Sequence, residues 1–261
     1  MRALGILSIV EEIIKQSDEF LKNLTEEKNL KTYFVNSNLA ILALSAIYGA
    51  TMGLYAGELQ ILYSAIKVPM LLLISLYLTV PSYYVLYLLL GGKRTLGQTV
   101  MLLLSGFTIM STVLIALVPV NLFFIITTTK SFTTYAFTVL LNIAIFTLGG
   151  FFALIYFIKG ARALYQKPSE NWKPAFLLGS IILMFVGTQL AWVLRPYFNY
   201  DPSFMRPLES NFYTAVLELL VRFTGGFGAF LIVFALFFLG LLFYSALAPA
   251  RKELAATPAQ S

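Results

Sequence analysis

The chain has neither cysteine nor histidine in its 261 residues. That removes thiolate nucleophiles, imidazole bases, Cys- or His-ligated metal centres and His-ligated haem from consideration. Disulfides are excluded too, so cysteine usage says nothing about redox compartment. Charge is scarce: charged residues make up 11%, against roughly 25% in an ordinary soluble domain. No carboxylate falls in the middle of a long apolar run, which argues against proton- or ion-driven transport. The opening "MRALGILSIVEEIIKQSDEF" lacks the form of a signal peptide, because acids interrupt it early and no small-residue cleavage site follows. The first apolar span is therefore expected to act as the insertion signal.

Hydrophobic residues make up 59% of the chain and the mean hydropathy is +0.83. These values indicate an all-α integral membrane protein. A helix that crosses the hydrocarbon needs about 20 apolar residues, and six stretches qualify: 37–57, 68–90, 98–120, 133–158, 174–195 and 223–247. The expected fold is six transmembrane helices preceded by an N-terminal cytoplasmic amphipathic helix. The expected organisation is an amphipathic segment at 1–32, a bundle at 33–248 with an outer loop and short helix at 196–222, and a disordered cytoplasmic tail at 249–261. The net charge of +6 reflects basic residues in short loops beside apolar spans, and no nucleic-acid partner is expected.

Orientation follows from the 18 Lys and Arg. With the N-terminus inside, thirteen fall on the cytoplasmic side: Arg2, Lys15, Lys22, Lys28, Lys31, Lys93, Arg94, Lys159, Arg162, Lys167, Lys173, Arg251 and Lys252. Five fall outside: Lys67, Lys130, Arg195, Arg206 and Arg222. The positive-inside bias thus predicts a multi-pass protein of the plasma (inner) membrane with both termini cytoplasmic. In residues 3–24, Ala3, Leu7, Val10, Ile14, Leu21 and Leu24 recur at heptad-like spacing, with Glu11, Glu12, Lys15, Asp18, Glu19 and Lys22 on the other face. A membrane-surface helix is usually basic, and this segment is slightly acidic. Docking on the protein's own cytoplasmic face or on a partner is favoured over lipid binding.

Span 1 carries Ser45, Gly49, Gly53 and Gly57 at intervals of four, a ridge of small residues that permits close helix approach. It can serve another span of the same chain, or a second copy or partner subunit. Glu58 and Lys67 lie near the boundary of span 2, where Lys67 snorkels, pairs with Glu58 or Glu218, or meets an anionic group. Pro69 suits the first turn of that span, and Pro81 is a candidate kink. Asn142, Thr188 and Gln189 read as buried interhelical hydrogen-bonding groups. The stretch "WVLRPYFNYDPSFMRPLESNFY" (192–213) sets Arg195 and Arg206 near Asp201 and Glu209 in a proline-stiffened, aromatic segment. It reads as an Arg–acid latch over the ends of two spans, with a binding mouth for a partner or anion as the alternative. Beyond it, Glu218 and Arg222 are spaced for an i,i+4 ion pair, and the long helix there is expected to break at Gly225-Gly226.

The strings "AIKVP" and "LRPYFNYDPSFMRPLESNFY" resemble a family of uncharacterised prokaryotic multi-span membrane proteins. The plan of a cytoplasmic amphipathic segment before a helical bundle is loosely similar to Yip1-type proteins. The resemblance implies a shared fold and no known activity, so no catalytic or binding residues carry over from it. Taken together, the residues lead us to expect a non-enzymatic membrane protein without cofactor, a subunit or scaffold that associates with the lipid bilayer and with other membrane subunits or its own copies. The alternative is a small transporter or channel for an ion or small solute. An enzyme acting on lipid would have to use Glu58, Glu209, Glu218 or Asp201 with an arginine, and no motif supports one.

Overall fold

A computed structural model describes residues 5–89, 94–164, 172–198, 203–207 and 211–247. Among them every regular element is an α-helix. The helices are α1 (Ile6–Lys15), α2 (Ser17–Thr25), α3 (Leu30–Gly53), α4 (Leu59–Leu89), α5 (Leu96–Ala116), α6 (Val118–Thr127), α7 (Phe132–Leu164), α8 (Trp172–Val193) and α9 (Phe212–Leu247). Five helices are long and apolar enough to cross a membrane: Leu30–Gly53, Leu59–Leu89, Leu96–Ala116, Phe132–Leu164 and Lys173–Val193. These correspond to the first five expected spans, and the chain is consistent with a multi-pass membrane protein. The stretch expected as a sixth span falls within α9.

The chain divides into two compact units, 1–212 and 213–261. In the first, α3 is central: it packs against α4, α5, α1 and α6, while α7 lies on α5 and α8 lies on α4. The 98–120 stretch is not one helix, because α5 ends at Ala116 and Pro119, in the first turn of α6, restarts the helix; the span is Leu96–Ala116. Pro69 is not at a helix start either. Both Pro69 and Pro81 lie inside α4, which stays helical through them, as membrane helices tolerate when neighbours re-satisfy the freed carbonyls. In the second unit, α9 has non-helical dihedrals at Gly225 (φ 76°, ψ 166°), where the break was expected. Gly226 follows it within the helix. Such a φ favours a residue without a Cβ.

The N-terminal segment is two helices rather than one, separated at Gln16. The break shifts the apolar phase. Ile9, Ile13, Phe20, Leu21 and Leu24 are the buried residues, whereas Leu7 and Ile14 from the expected stripe are exposed. Full burial of such side chains stabilises by about 1.5–3 kcal/mol each. The stripe covers the protein's own helices: α1 packs on α3 and α5, and α2 on α5 and α7. Polar contacts fix the arrangement. Tyr33 donates to Glu12 and accepts from Asn23 at 3.1 Å, and its ring tilts against Phe20. Lys159 pairs with Asp18 at 2.8 Å. Thr95 and Gln98 form a capping box on α5, and the Gln98 amide also donates to the Thr25 carbonyl at 3.1 Å. The start of α5, the end of α7 and the two short helices therefore share one end of the bundle.

Candidate functional site

The other end of the bundle carries the α3–α4 turn and the segment that leaves α8. The turn is tight because Gly57 (φ 83°) and Glu58 (φ 46°) both occupy the left-handed region. Glu58 is exposed there and does not pair with Lys67. Small residues set the approach of the two helices. A Cβ on Gly49 would stand 2.3 Å from the Ser64 carbonyl oxygen, and one on Gly53 would stand 2.4 Å from that of Gln60. Ser45 is buried on the same ridge and donates to the Ile41 carbonyl at 2.5 Å. Gly57 meets nothing and serves the turn. The ridge is therefore occupied within the chain: Gly49 and Gly53 seat α4, leaving that face of α3 no room for a second copy.

The same approach creates a polar stripe on α4. Gln60, Ser64 and Lys67, at i, i+4 and i+7, share one helix face and are all fully buried. They hold the described stretches 196–198 and 203–205, which together form a strap over this face, through the backbone of Pro196, Tyr197 and Ser203. Gln60 Nε2 donates to the Pro196 carbonyl at 2.8 Å, and its Oε1 accepts from the Ser203 N–H at 3.0 Å. Ser64 Oγ donates to the Tyr197 carbonyl at 2.8 Å. Lys67 Nζ donates to the Pro196 carbonyl at 3.0 Å and sits 4.9 Å from the centre of the Phe204 ring. The ammonium thus neither snorkels nor pairs with Glu58. A carbonyl and a ring face solvate it in place of water, the arrangement expected of a cation that cannot reach the interface.

Aromatic contacts complete the strap. Phe198 stacks edge-on to Tyr55, and Phe204 edge-on to Tyr63. Arg195 donates to the Pro207 carbonyl at 2.9 Å, and its guanidinium lies 3.6 Å from the Trp192 ring centre. The Tyr197 hydroxyl is buried without a partner among the described residues, and burial pushes its pKa up, which keeps it neutral. The expected Arg–acid latch turns on Asp201 and Glu209, and what the described residues show is a different hold. It is side chain to backbone, and α4 supplies most of it. Asp201 and Glu209 lie outside the described residues, as does the tail 249–261. Arg206 is exposed. Glu218 and Arg222 are exposed on α9, and no ion pair joins them among the described residues.

A second polar group sits inside the bundle, between α3, α6 and α7. The Tyr48 hydroxyl donates to Asn142 Oδ1 at 2.5 Å, Asn142 Nδ2 to Asn121 Oδ1 at 3.0 Å, and Asn121 Nδ2 to Thr51 Oγ1 at 3.1 Å. All four residues are buried. Asn142 is buried as expected, but Thr188 and Gln189 are not. Both are only partly buried, and Thr188 bonds back to Met184 and Phe185 of its own helix. The reason is that α8 lies at the edge of the described bundle, with 17% of its most apolar window buried against 61% for α5. Asn142→Leu should remove three hydrogen bonds at once and leave Asn121 and Tyr48 short of partners. We expect a loss of about 2 kcal/mol, above the ~0.6 kcal/mol typical of one interhelical bond in membranes, measured as a lower unfolding midpoint in detergent.

Among the described residues, no group of three or more Asp or Glu could hold a metal ion. Gln60, Ser64 and Asn121 carried no signal in the apolar pattern as single residues, although the i, i+4, i+7 spacing of Gln60, Ser64 and Lys67 is readable in "LQILYSAIK". Compared with family models, curated proteins and solved structures, the chain matches none.

Proposed function

We propose that this chain is a non-enzymatic subunit or scaffold of a complex in the plasma membrane, with both termini cytoplasmic. The observation that carries the reading is how the polar groups are used. Lys67, Gln60, Ser64, Tyr48, Asn121 and Asn142 are engaged in holding the chain's own segments, which leaves them little capacity for chemistry. Meanwhile α8 presents Leu177, Leu178, Ile181, Met184 and Phe185 outward. Lipid alone can cover such an apolar face, and so can a partner helix. With the Gly49–Gly53 ridge occupied, α8 is the surface on which this proposal now rests. The end with α1 and α2 carries Lys15, Lys22, Lys28, Lys31, Arg94, Lys159, Arg162 and Lys173, so the positive-inside bias assigns it to the cytoplasm.

The test is the mass of the particle extracted from the native membrane in mild detergent. We expect it to exceed that of the 29.1 kDa chain, and Ile181→Arg with Phe185→Arg to return it to the single chain. A native particle containing this chain alone would sink the proposal. Because the chain has no cysteine, Met205→Cys gives a unique label. Modification by an impermeant maleimide from outside intact cells is expected, and modification only after lysis would invert the topology.

A second reading, a small transporter or channel, is favoured by the buried Tyr48–Asn142–Asn121–Thr51 chain beside Pro81-containing α4. Flux of ions or small solutes in reconstituted liposomes would establish it.

A further inference from the structure

We infer that the groove between α2 and α7 holds the headgroup of a zwitterionic phospholipid, one with a primary ammonium in particular. The groove has a volume of about 400 Å³ and is lined by Asp18, Leu21, Lys22, Glu26, Lys159 and Ala163 among others. Two arguments identify the occupant, and neither depends on the complex proposed above.

The first is depth. Residues 132–158 of α7 carry no charge, and at 1.5 Å per residue they cover roughly 40 Å, more than the ~30 Å hydrocarbon. Lys159 is the first charge after that run and therefore lies at headgroup level. Leu21 and Ala163, beside it, give an apolar floor for the start of the acyl chains. The second is charge. The rim has two cations, Lys22 and Lys159, and two acids, Asp18 and Glu26. Lys159 pairs with Asp18 at 2.8 Å and Glu26 with Lys28 at 2.5 Å, so a headgroup joins existing ion pairs beside Lys22, which has no ion pair among the described residues. An anionic headgroup or free phosphate would meet both acids as well as both lysines, and like charges repel. A zwitterion matches both signs: its phosphate faces the lysines and its ammonium the carboxylates. Glu26 is held ionised, because a hydrogen bond from Lys28 at 2.5 Å lowers its pKa. Carboxylates reward an N–H donor, which ethanolamine has and choline lacks.

The full-length protein in mild detergent would be given phosphatidylethanolamine, phosphatidylglycerol or soluble phosphoethanolamine, with retained ligand read by native mass spectrometry. We expect phosphatidylethanolamine to be retained about tenfold over phosphatidylglycerol, a difference of ~1.4 kcal/mol, and phosphoethanolamine to be lost. Lys22 makes no side-chain bond among the described residues, so Lys22→Gln should spare the fold and weaken phosphatidylethanolamine retention several-fold. Glu26→Gln makes the rim net positive and should move the preference toward phosphatidylglycerol. A purely structural role would not move the preference in that direction. Equal retention of the two lipids, or retention unchanged in both variants, overturns the proposal. Binding of phosphoethanolamine as tight as that of the lipid would reassign the groove to a soluble ligand and overturn the lipid assignment.

Discussion

Gly53→Leu is expected to unseat α4 from α3 and to destabilise the folded chain more than any surface change. The Cβ alone would stand 2.4 Å from the Gln60 carbonyl oxygen and 2.5 Å from the Ile61 Cα. Both atoms are backbone, so no rotamer change relieves the clash, and the helices must separate. Overpacking a core costs typically 1–3 kcal/mol where side chains can yield. With backbone on the far side we expect at least ~3 kcal/mol, even for Gly53→Ala or Gly49→Ala, and more for leucine. At roughly 2–4 °C per kcal/mol, the unfolding midpoint in detergent should fall by on the order of 10 °C for either alanine variant. Gly150→Ala is the control. Gly150 lies on α7 with nothing within 4 Å of an added Cβ, and alanine is the better helix former by up to ~1 kcal/mol, so its midpoint should hold or rise. A ridge used for self-association predicts otherwise: Gly53→Ala would then change the particle mass and leave the midpoint of the single chain alone.

The ridge illustrates what sequence can and cannot convey. Four small residues at intervals of four announce close helix contact, but the identity of the other helix is a tertiary fact. Here it follows from the short turn, Gly57 and Glu58 in the left-handed region, which returns the chain directly onto α3. The first five apolar spans were legible because their length alone requires a membrane, and the break in α9 because Gly225-Gly226 interrupts a helix too long for one crossing. The apolar phase of the N-terminal segment was not, since the discontinuity at Gln16 has no proline or glycine to mark it. Nor was the fate of Lys67. Its oxygen partner is a backbone carbonyl 129 residues away, and carbonyls leave no trace in side-chain patterns. Charge counting paired Lys67 with acids, whereas the fold solvates it with a carbonyl and a ring face.

That solvation leads to the second large effect, in the strap. Gln60 and Lys67 converge on one acceptor, the Pro196 carbonyl, from 2.8 and 3.0 Å, so their contributions should not be additive. Lys67→Met keeps most of the volume, removes a desolvated charge and leaves Pro196 bonded to Gln60. Replacing buried ions by apolar residues of similar size is often near neutral, and we expect a change under ~1 kcal/mol. Gln60→Leu leaves Pro196 bonded to Lys67 but strips the part-buried Ser203 N–H of its acceptor, a loss toward the low end of the about 1–3 kcal/mol that a fully buried unsatisfied donor costs. The double variant leaves the Pro196 carbonyl with neither donor. Its loss should exceed the sum of the single ones by about 1–2 kcal/mol, within the range measured for residues that share a partner. The readout is again the missing cysteine. Ser64→Cys places a single thiol beneath the strap at a fully buried position, and its modification by an impermeant maleimide reports strap opening. An added 2 kcal/mol of opening should speed labelling about 30-fold, with the double variant fastest. Additive rates across the cycle would mean that the two side chains hold the strap independently, and the shared carbonyl would then be a coincidence of geometry.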